Sequence, residues 1–482
     1  MNKNKKLSQL VIGALLLSSP VLAQSNFKLP DLGTSALQVL PLEKEKAIGE
    51  IMMMKIKSSS PVIQDPLLDE YLTSIGNRLV AHADDIRFPF EFFWIKNNEI
   101  NAFAFYGGHV GVHAGLIAKS DNESQFASVL GHEIAHVTQR HLARRLQKQQ
   151  DNSGLTLAGM VAGILTTIVN PEAGMAIISA NQTQSMLSQM THSRGAEQEA
   201  DRIGMTILNN SGFDPRASSE FLAKLSAQLR FKQKPPVFLL SHPLPDSRVS
   251  DIRLRAQQYP EKFIDSNLDF LLAKSRIKAR FTTTSEKAEQ LFRNDIKKHQ
   301  FSDRTAAKYG LALTLIDQKK LDEAQEILTK LLKTDPANLF YLDSKTDLLI
   351  AQKNTQAALT LLKEHYQLKP NNQVITLNYA NAAIEAKDYP LAERLLRYFL
   401  LDKPDHPLGK DLMAQTYKMQ KKQSAYHEIR ASIMIDHGAY QQASDEIQKA
   451  LNFIEKTDDI KRQRLKALLK QYRQMQKELA KL

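Results

Sequence analysis

Two histidines four residues apart, in Gly131-His132-Glu133-Ile134-Ala135-His136, stand one above the other on a helix face, where both rings can reach one ion. Glu133 falls beside the pair. Zinc suits such a donor set, and a catalytic zinc takes three protein ligands and leaves one position for water. Short motifs of this kind also arise by chance, so the matter turns on a third ligand. The stretch Glu197-Gln198-Glu199-Ala200-Asp201 puts carboxylates one helical turn apart at 197 and 201. Glu197 can complete a zinc site with His132 and His136. Asp201 can accept a hydrogen bond from the outer nitrogen of a ligand histidine and so fix its tautomer. Taken alone, the same acids read as a solvated helix face. The chain has no cysteine, which excludes disulfides, thiolate metal sites, a cysteine nucleophile and a lipid-modified N-terminal cysteine.

The elements that must position these residues follow from pattern. A helix is predicted from Asp121 to about Gln149, with Ser120 and Glu123 in capping-box spacing and Phe126, Val129, Leu130, Ile134 and Val137 as its apolar stripe. Thr191 to Leu208 is predicted as a second helix. Phe88–Ile95 and Ala102–Val112, rich in aromatic and β-branched residues and punctuated by Gly107-Gly108, read as strands. The second is either an ordinary sheet strand or an exposed edge to which an extended substrate adds its backbone. Leu155 to Ala180 reads as two short helices interrupted by Asn170-Pro171, each too short to span a bilayer. A packed lid over the cleft is expected there, with a membrane contact as the alternative. The elongated metzincin motif would need Gly at 139 and His at 142, where Gln139 and Leu142 stand. His141, half a helical turn from His132, reads as a surface or core histidine.

At 482 residues, with 43% hydrophobic and 24% charged residues, the chain is long enough for two or three domains with ample cores. Lys3, Lys5 and Lys6 precede an apolar run from Leu7 to Leu17 and then Val21-Leu22-Ala23, the pattern of a cleavable signal peptide ending at residue 23. Export makes nucleic acid an implausible partner, so the net charge of +12 reads as surface chemistry. In the C-terminal half Pro336, Pro370 and Pro404 recur every 34 residues, and Ala324, Ala358 and Ala392 keep the same spacing. A small Ala lets paired helices approach and Pro ends the second of each pair. This resembles the tetratricopeptide repeat, and implies an α-helical solenoid whose concave face holds a partner. A fourth unit departs from the pattern, with Ala425 one place early and Gly438 where Pro is expected. The tail from Lys461 onward reads as a solvated basic capping helix, with acidic lipid headgroups as the sharper alternative. The expected domains are a signal peptide (1–23), an N-terminal extended segment (24–44), a metallopeptidase domain (45–265) and a repeat domain (266–482).

Asn101-Ala102-Phe103-Ala104 before Gly107-Gly108, the His132 to His136 motif and the Glu197 to Asp201 helix together resemble the zincin peptidase family of CAAX prenyl endopeptidases and the heat-shock membrane protease HtpX. The resemblance covers roughly residues 45 to 260; Tyr106 stands where many members have Pro. It implies a mainly α chain, an α+β zincin protease domain followed by a repeat solenoid. It also implies one zinc per chain held by His132, His136 and Glu197, with Glu133 as general base, Asp201 orienting a ligand, and Asn101, Ala102 and Phe103 binding substrate. A second electrophile besides the metal is expected for the oxyanion, with His242 and Arg248 as candidates. His242, in Ser241-His242-Pro243-Leu244-Pro245, is also a candidate fourth ligand that would hold the enzyme off until its loop moves. Over the whole chain the resemblance implies a periplasmic endopeptidase acting on misassembled outer-membrane β-barrel proteins. Contact with their assembly machinery, a peripheral membrane contact and a chaperone-like role for the repeats go with it. The competing class is an assembly chaperone whose zinc site is mainly structural or normally shut.

Overall fold

The structure, a computed structural model, describes residues 40–153, 193–231, 237–262, 264, 267–297, 301–455 and 457–479. The signal peptide and the stretch from Leu155 to Ala180 lie outside them. The first half is a small sheet framed by helices: α1 (Leu42–Ser59), β1 (Val62–Ile63), α2 (Pro66–Val80), β2 (Glu91–Ile95), β3 (Ala102–Phe105), β4 (His109–His113) and α3 (Ala114–Lys119). Then come α4 (Glu123–Thr138), α5 (His141–Ser153), α6 (Arg194–Asn210), α7 (Arg216–Phe231), α8 (Phe238–Ser241) and α9 (Asp246–Ala256).

The sheet order is β1-β2-β4-β3, with β2 and β4 parallel and the outer pairs antiparallel. The expected strand from Ala102 to Val112 is therefore two. Gly107 and Gly108, at φ 82° and 89°, turn the chain through a short 3-10 segment; a Cβ on Gly108 would lie 2.3 Å from the Pro89 carbonyl oxygen, so only glycine fits. Alternation along β4 sends Val110 and Val112 into the main core and His109 and His113 to the opposite face, against Phe105 and Phe103. Trp94 ties the sheet to its helices: its indole donates to the Leu68 carbonyl at 2.9 Å and its ring stacks on Phe126 of α4 at 5.8 Å.

From Leu268 onward the described residues are helical. The helices are α10 (Leu268–Arg280), α11 (Ser285–Lys297), α12 (Phe301–Asp317), α13 (Leu321–Thr334), α14 (Leu339–Ala351) and α15 (Thr355–Leu368). They continue with α16 (Gln373–Glu385), α17 (Tyr389–Asp402), α18 (Pro407–Met419), α19 (Gln423–Asp436), α20 (Tyr440–Asn452) and α21 (Asp459–Leu479). Ala324, Ala358 and Ala392 are fully buried, as close helix pairing requires, and each Pro follows the second helix of its pair. A further period appears that composition did not reveal: Lys319, Lys353, Lys387 and Lys421, again 34 apart, all adopt positive φ of 60° to 63° at the turn inside each pair. In the fourth unit Ala425 is only half-buried, and Gly438 (φ 68°) turns α19 straight into α20. The basic tail forms α21, with Leu465 and Leu469 buried against Ala431, Ile447 and Ala450.

The two halves share one core. Phe270 of α10 packs on Phe126 at 6.4 Å and Tyr71 at 6.5 Å. The buried Arg276 joins Asp65, the N-cap of α2, at 2.6 Å to Asp343 of α14 at 2.7 Å. No helix among the described residues is long and apolar enough to cross a membrane.

Candidate metal centre

The centre forms where α4 and α6 cross at two glycines. A Cβ on Gly131 would meet the Gly204 carbonyl oxygen at 3.2 Å, and one on Gly204 would meet His132 Cα at 3.1 Å. Backbones this close let the short Glu197 side chain of α6 reach both histidines of α4. Helix α4 itself begins at Glu123, two residues later than expected. Asn122 is its cap, accepting from the Gln125 amide at 2.9 Å, while Ser120 donates back to Leu116 at 2.8 Å.

The crossing brings His132 Nε2 and His136 Nε2 to 3.0 Å, with Glu197 Oε2 3.5 Å from the first and Oε1 3.4 Å from the second. His242 closes the group. Its Nδ1 lies 3.0 Å from Glu197 Oε1 and 3.3 Å from His132 Nε2, its Nε2 lies 3.4 Å from Glu133 Oε1, and its ring stacks on Phe238 at 4.5 Å. His132, His136, Glu197 and His242 each offer an atom within 4.8 Å of the others, and all four are buried. Asp201 Oδ1 sits 3.0 Å from His132 Nδ1, so the other nitrogen of that ring presents its lone pair inward.

The electrostatics fit a cation. Burial alone would lower His132, but the hydrogen bonds its ring donates to the Asp201 and Glu197 carboxylates outweigh it and lift its pKa to about 9. The field that favours positive charge on this ring favours a divalent cation among the same donors. Burial likewise opposes ionisation of Glu197, yet His242 and the other histidines hold its carboxyl well below the usual range. Glu133, wholly enclosed, goes the other way: burial raises it, against His242 and His132.

Arg248 is placed differently from its expected role. Its Nε and Nη2 donate to Asp201 at 2.6 and 2.8 Å, and its Nη1 faces Glu197 Oε2 at 2.6 Å and the Pro243 carbonyl at 3.0 Å. The guanidinium is turned to the two carboxylates and its own loop. Among the residues expected to bind substrate, Ala102 is fully buried and Asn101 buried with its Oδ1 unpartnered. Phe103, half-buried, packs edge-on to Phe93 at 6.1 Å. Strand β3 is the last in the sheet, and the Ala104 backbone hydrogen-bonds Glu133, so this edge runs beside the acid.

The Peptidase family M48 matches residues 66–256, and a tetratricopeptide repeat family matches residues 349–416. The β-barrel assembly-enhancing protease of Yersinia pestis is 41% identical over 418 residues, 85% of this chain and 86% of the relative. The protein of the same name from Escherichia coli strain K12 is 38% identical over 474 residues, covering 98% and 97%. The chain belongs to the β-barrel assembly-enhancing protease family. It is a metalloprotease carrying helical repeats. A more distant likeness, 29% over 240 residues, 46% of this chain and 44% of the other, is to the mitochondrial metalloendopeptidase OMA1 of Bos taurus.

In this metalloprotease His141, read from its helical offset as a surface or core histidine, is buried directly beside the site. The predicted helix does not run to Gln149: it stops at Gln139, Arg140 takes φ 50°, and α5 starts afresh. Arg140 is held there by Glu45 of α1 at 2.6 Å and by the Leu40 carbonyl at 2.6 Å. The turn swings His141 back, so its Nδ1 lies 2.8 Å from His136 Nδ1 and its Nε2 3.1 Å from Glu199 Oε2. The half-turn offset that argued against His141 applies only to a continuous helix. A donor one turn past the motif, matched by Glu199 between Glu197 and Asp201, was the available signal.

Proposed function

We propose that the chain is a zinc metalloendopeptidase of the periplasm that hydrolyses peptide bonds in misassembled outer-membrane β-barrel proteins, with the repeats supporting their assembly. The convergence of His132, His136, Glu197 and His242 beside the buried Glu133 carries this reading. Imidazole and carboxylate donors without thiolate suit zinc. The substrate class rests on the relatives' name, and the periplasm on the signal-peptide pattern of the first 23 residues.

His132, His136 and Glu197 would hold the ion, which when bound would supply Lewis acidity for a water's attack on the scissile carbonyl. Glu133 takes the water's proton on its carboxylate and hands it to the leaving amine; its raised pKa brings it nearer to working pH. Asp201 keeps the His132 proton on Nδ1. Arg248 holds Asp201 and Glu197 in place rather than meeting the oxyanion. An extended substrate adds to β3, where Asn101, Ala102 and Phe103 lead the backbone toward Glu133. His242, with one nitrogen toward Glu197 and the other toward Glu133, stands where water and substrate must enter, so its loop moves for turnover. Replacing His242 by Ala then raises proteolysis; unchanged or lower cleavage removes the gate.

The deciding experiment is Glu133→Gln. The protein keeps stoichiometric zinc while cleavage of an unfolded protein substrate falls by about 10²- to 10⁴-fold. Full cleavage would sink the reading. Support of barrel assembly in cells by the same variant would mark the chaperone activity as separate from the chemistry.

A further inference from the structure

The two histidines of α4 are held from behind in different ways, and the difference assigns a role to His141. His132 gives its Nδ1 proton directly to Asp201 at 3.0 Å. Behind His136 there is another imidazole: His136 Nδ1 faces His141 Nδ1 at 2.8 Å, and His141 Nε2 faces Glu199 Oε2 at 3.1 Å. Arg144 fixes that carboxylate at 3.0 Å. His141 is 4% exposed.

We propose that His141 is a positioning residue that sets the tautomer and the orientation of His136 for metal binding, passing the pull of Glu199 through its own ring. This rests on the reading above that His136 holds the metal through Nε2. A neutral imidazole carries one proton. With Nε2 turned inward, 3.0 Å from His132 Nε2 and 3.4 Å from Glu197 Oε1, the His136 proton sits on Nδ1 and is donated to His141. The His141 Nδ1 must then be an acceptor, which puts its own proton on Nε2, facing the Glu199 carboxylate oxygen at 3.1 Å. Every link has one direction only: His136 Nδ1–H to His141 Nδ1, and His141 Nε2–H to Glu199. Arg144 Nη1, 3.0 Å from the same Glu199 oxygen, holds that carboxylate against the His141 ring. The ring centroids lie 4.8 Å apart with the planes at 75°, a spacing that the 2.8 Å nitrogen-to-nitrogen hydrogen bond allows.

The device depends on the break in the helix. Were α4 continuous through Arg140, His141 would project to another face; the positive φ of Arg140 and its clamp on Glu45 aim the ring at His136. A carboxylate acting through an imidazole also lets Glu199 lie nearer the surface, its side chain 30% exposed, while the donor atoms stay buried.

The test compares zinc affinity of the full chain by competition with a chelator at one fixed pH. His141→Phe keeps the ring volume and removes both hydrogen bonds; zinc affinity falls 10- to 100-fold, the range seen when a ligand's outer partner is lost. His141→Gln has an amide oxygen to accept from His136 and an amide N–H to donate to Glu199, and retains most of the affinity. Glu199→Gln falls between them. A merely structural His141 predicts parallel losses of metal-free stability in the Phe and Gln variants and no separation in zinc affinity. Wild-type affinity in His141→Phe, or equal losses in both His141 variants, overturns the proposal. If His141→Phe does not fold, the Glu199→Gln and His141→Gln proteins carry the test, with wild-type affinity in Glu199→Gln counting against it. A His136→Ala control that still binds zinc as the wild type does would show that the ligand assignment, not the relay, had failed.

Discussion

The metal centre and the repeat array are both built from packed helices, yet they encode position in opposite ways. In the array each unit restates the last. A buried Ala, a terminating Pro and a positive-φ Lys recur every 34 residues, so that most of each unit's packing is with its neighbours in the array. At the centre nothing repeats. His242 meets His132 across 110 residues and Glu197 across 45, and every charge is buried against a partner of opposite sign. A change in the array is therefore absorbed locally, whereas a change at the centre leaves a buried group with no substitute.

The comparison is broken most directly at Arg248. Replacing it with Met leaves Asp201 and Glu197 buried without their cation, and removing one member of a buried pair costs about 3–5 kcal/mol. Denaturant unfolding of the metal-free protein should register that loss, and zinc affinity should move with it because Asp201 no longer holds His132. A loss below about 1 kcal/mol, the range of exposed pairs, would mean that the centre is as forgiving as the array. Next in size is Gly204→Ala. Its new methyl would lie 3.1 Å from His132 Cα, so α4 and α6 must separate by a few tenths of an ångström, at about 1–3 kcal/mol for an overpacked contact. Chelator competition is the sharper readout, since Glu197 is drawn away from both histidines. Unchanged zinc affinity would show that the glycine pair does not set the ligand spacing.

Legibility in the sequence divides along the same line. The histidine pair, Glu197, Asp201 and the Pro and Ala register were readable because each rests on spacing within one helix or one repeat. What escaped depended on contacts between distant elements. Arg140 is a good helix former, and nothing local says that Glu45, some 95 residues earlier, will hold it at positive φ, so the helix was extended and His141 turned the wrong way. Arg248 stands with His242 as a candidate for the oxyanion because that task needs a second electrophile besides the metal, while its pairing with Asp201 depends on how α9 docks against α6. The split of the expected strand at Tyr106 was marked by Gly107-Gly108 but taken as punctuation rather than a reversal. The lid expected over Leu155 to Ala180 lies outside the described residues.

The smallest effect sharpens the comparison from the side of the array. Lys319, Lys353, Lys387 and Lys421 are exposed and hold positive φ, a conformation that costs an L-residue roughly 1–2 kcal/mol. Glycine removes that strain but brings back about 0.5–1 kcal/mol of chain entropy. Each Lys→Gly change should thus stabilise the protein by about half a kcal/mol, the difference of those two quantities. If the array is built of equivalent, separate units, the four gains match and add to within about 0.3–0.5 kcal/mol, which a rising unfolding midpoint across single, double and quadruple variants would reveal. Arg140 shares the same backbone region but cannot join the series, because its guanidinium anchors Glu45 and the turn that presents His141. Unequal gains among the four lysines would show that the repeats, too, carry position-specific constraints that their common register conceals.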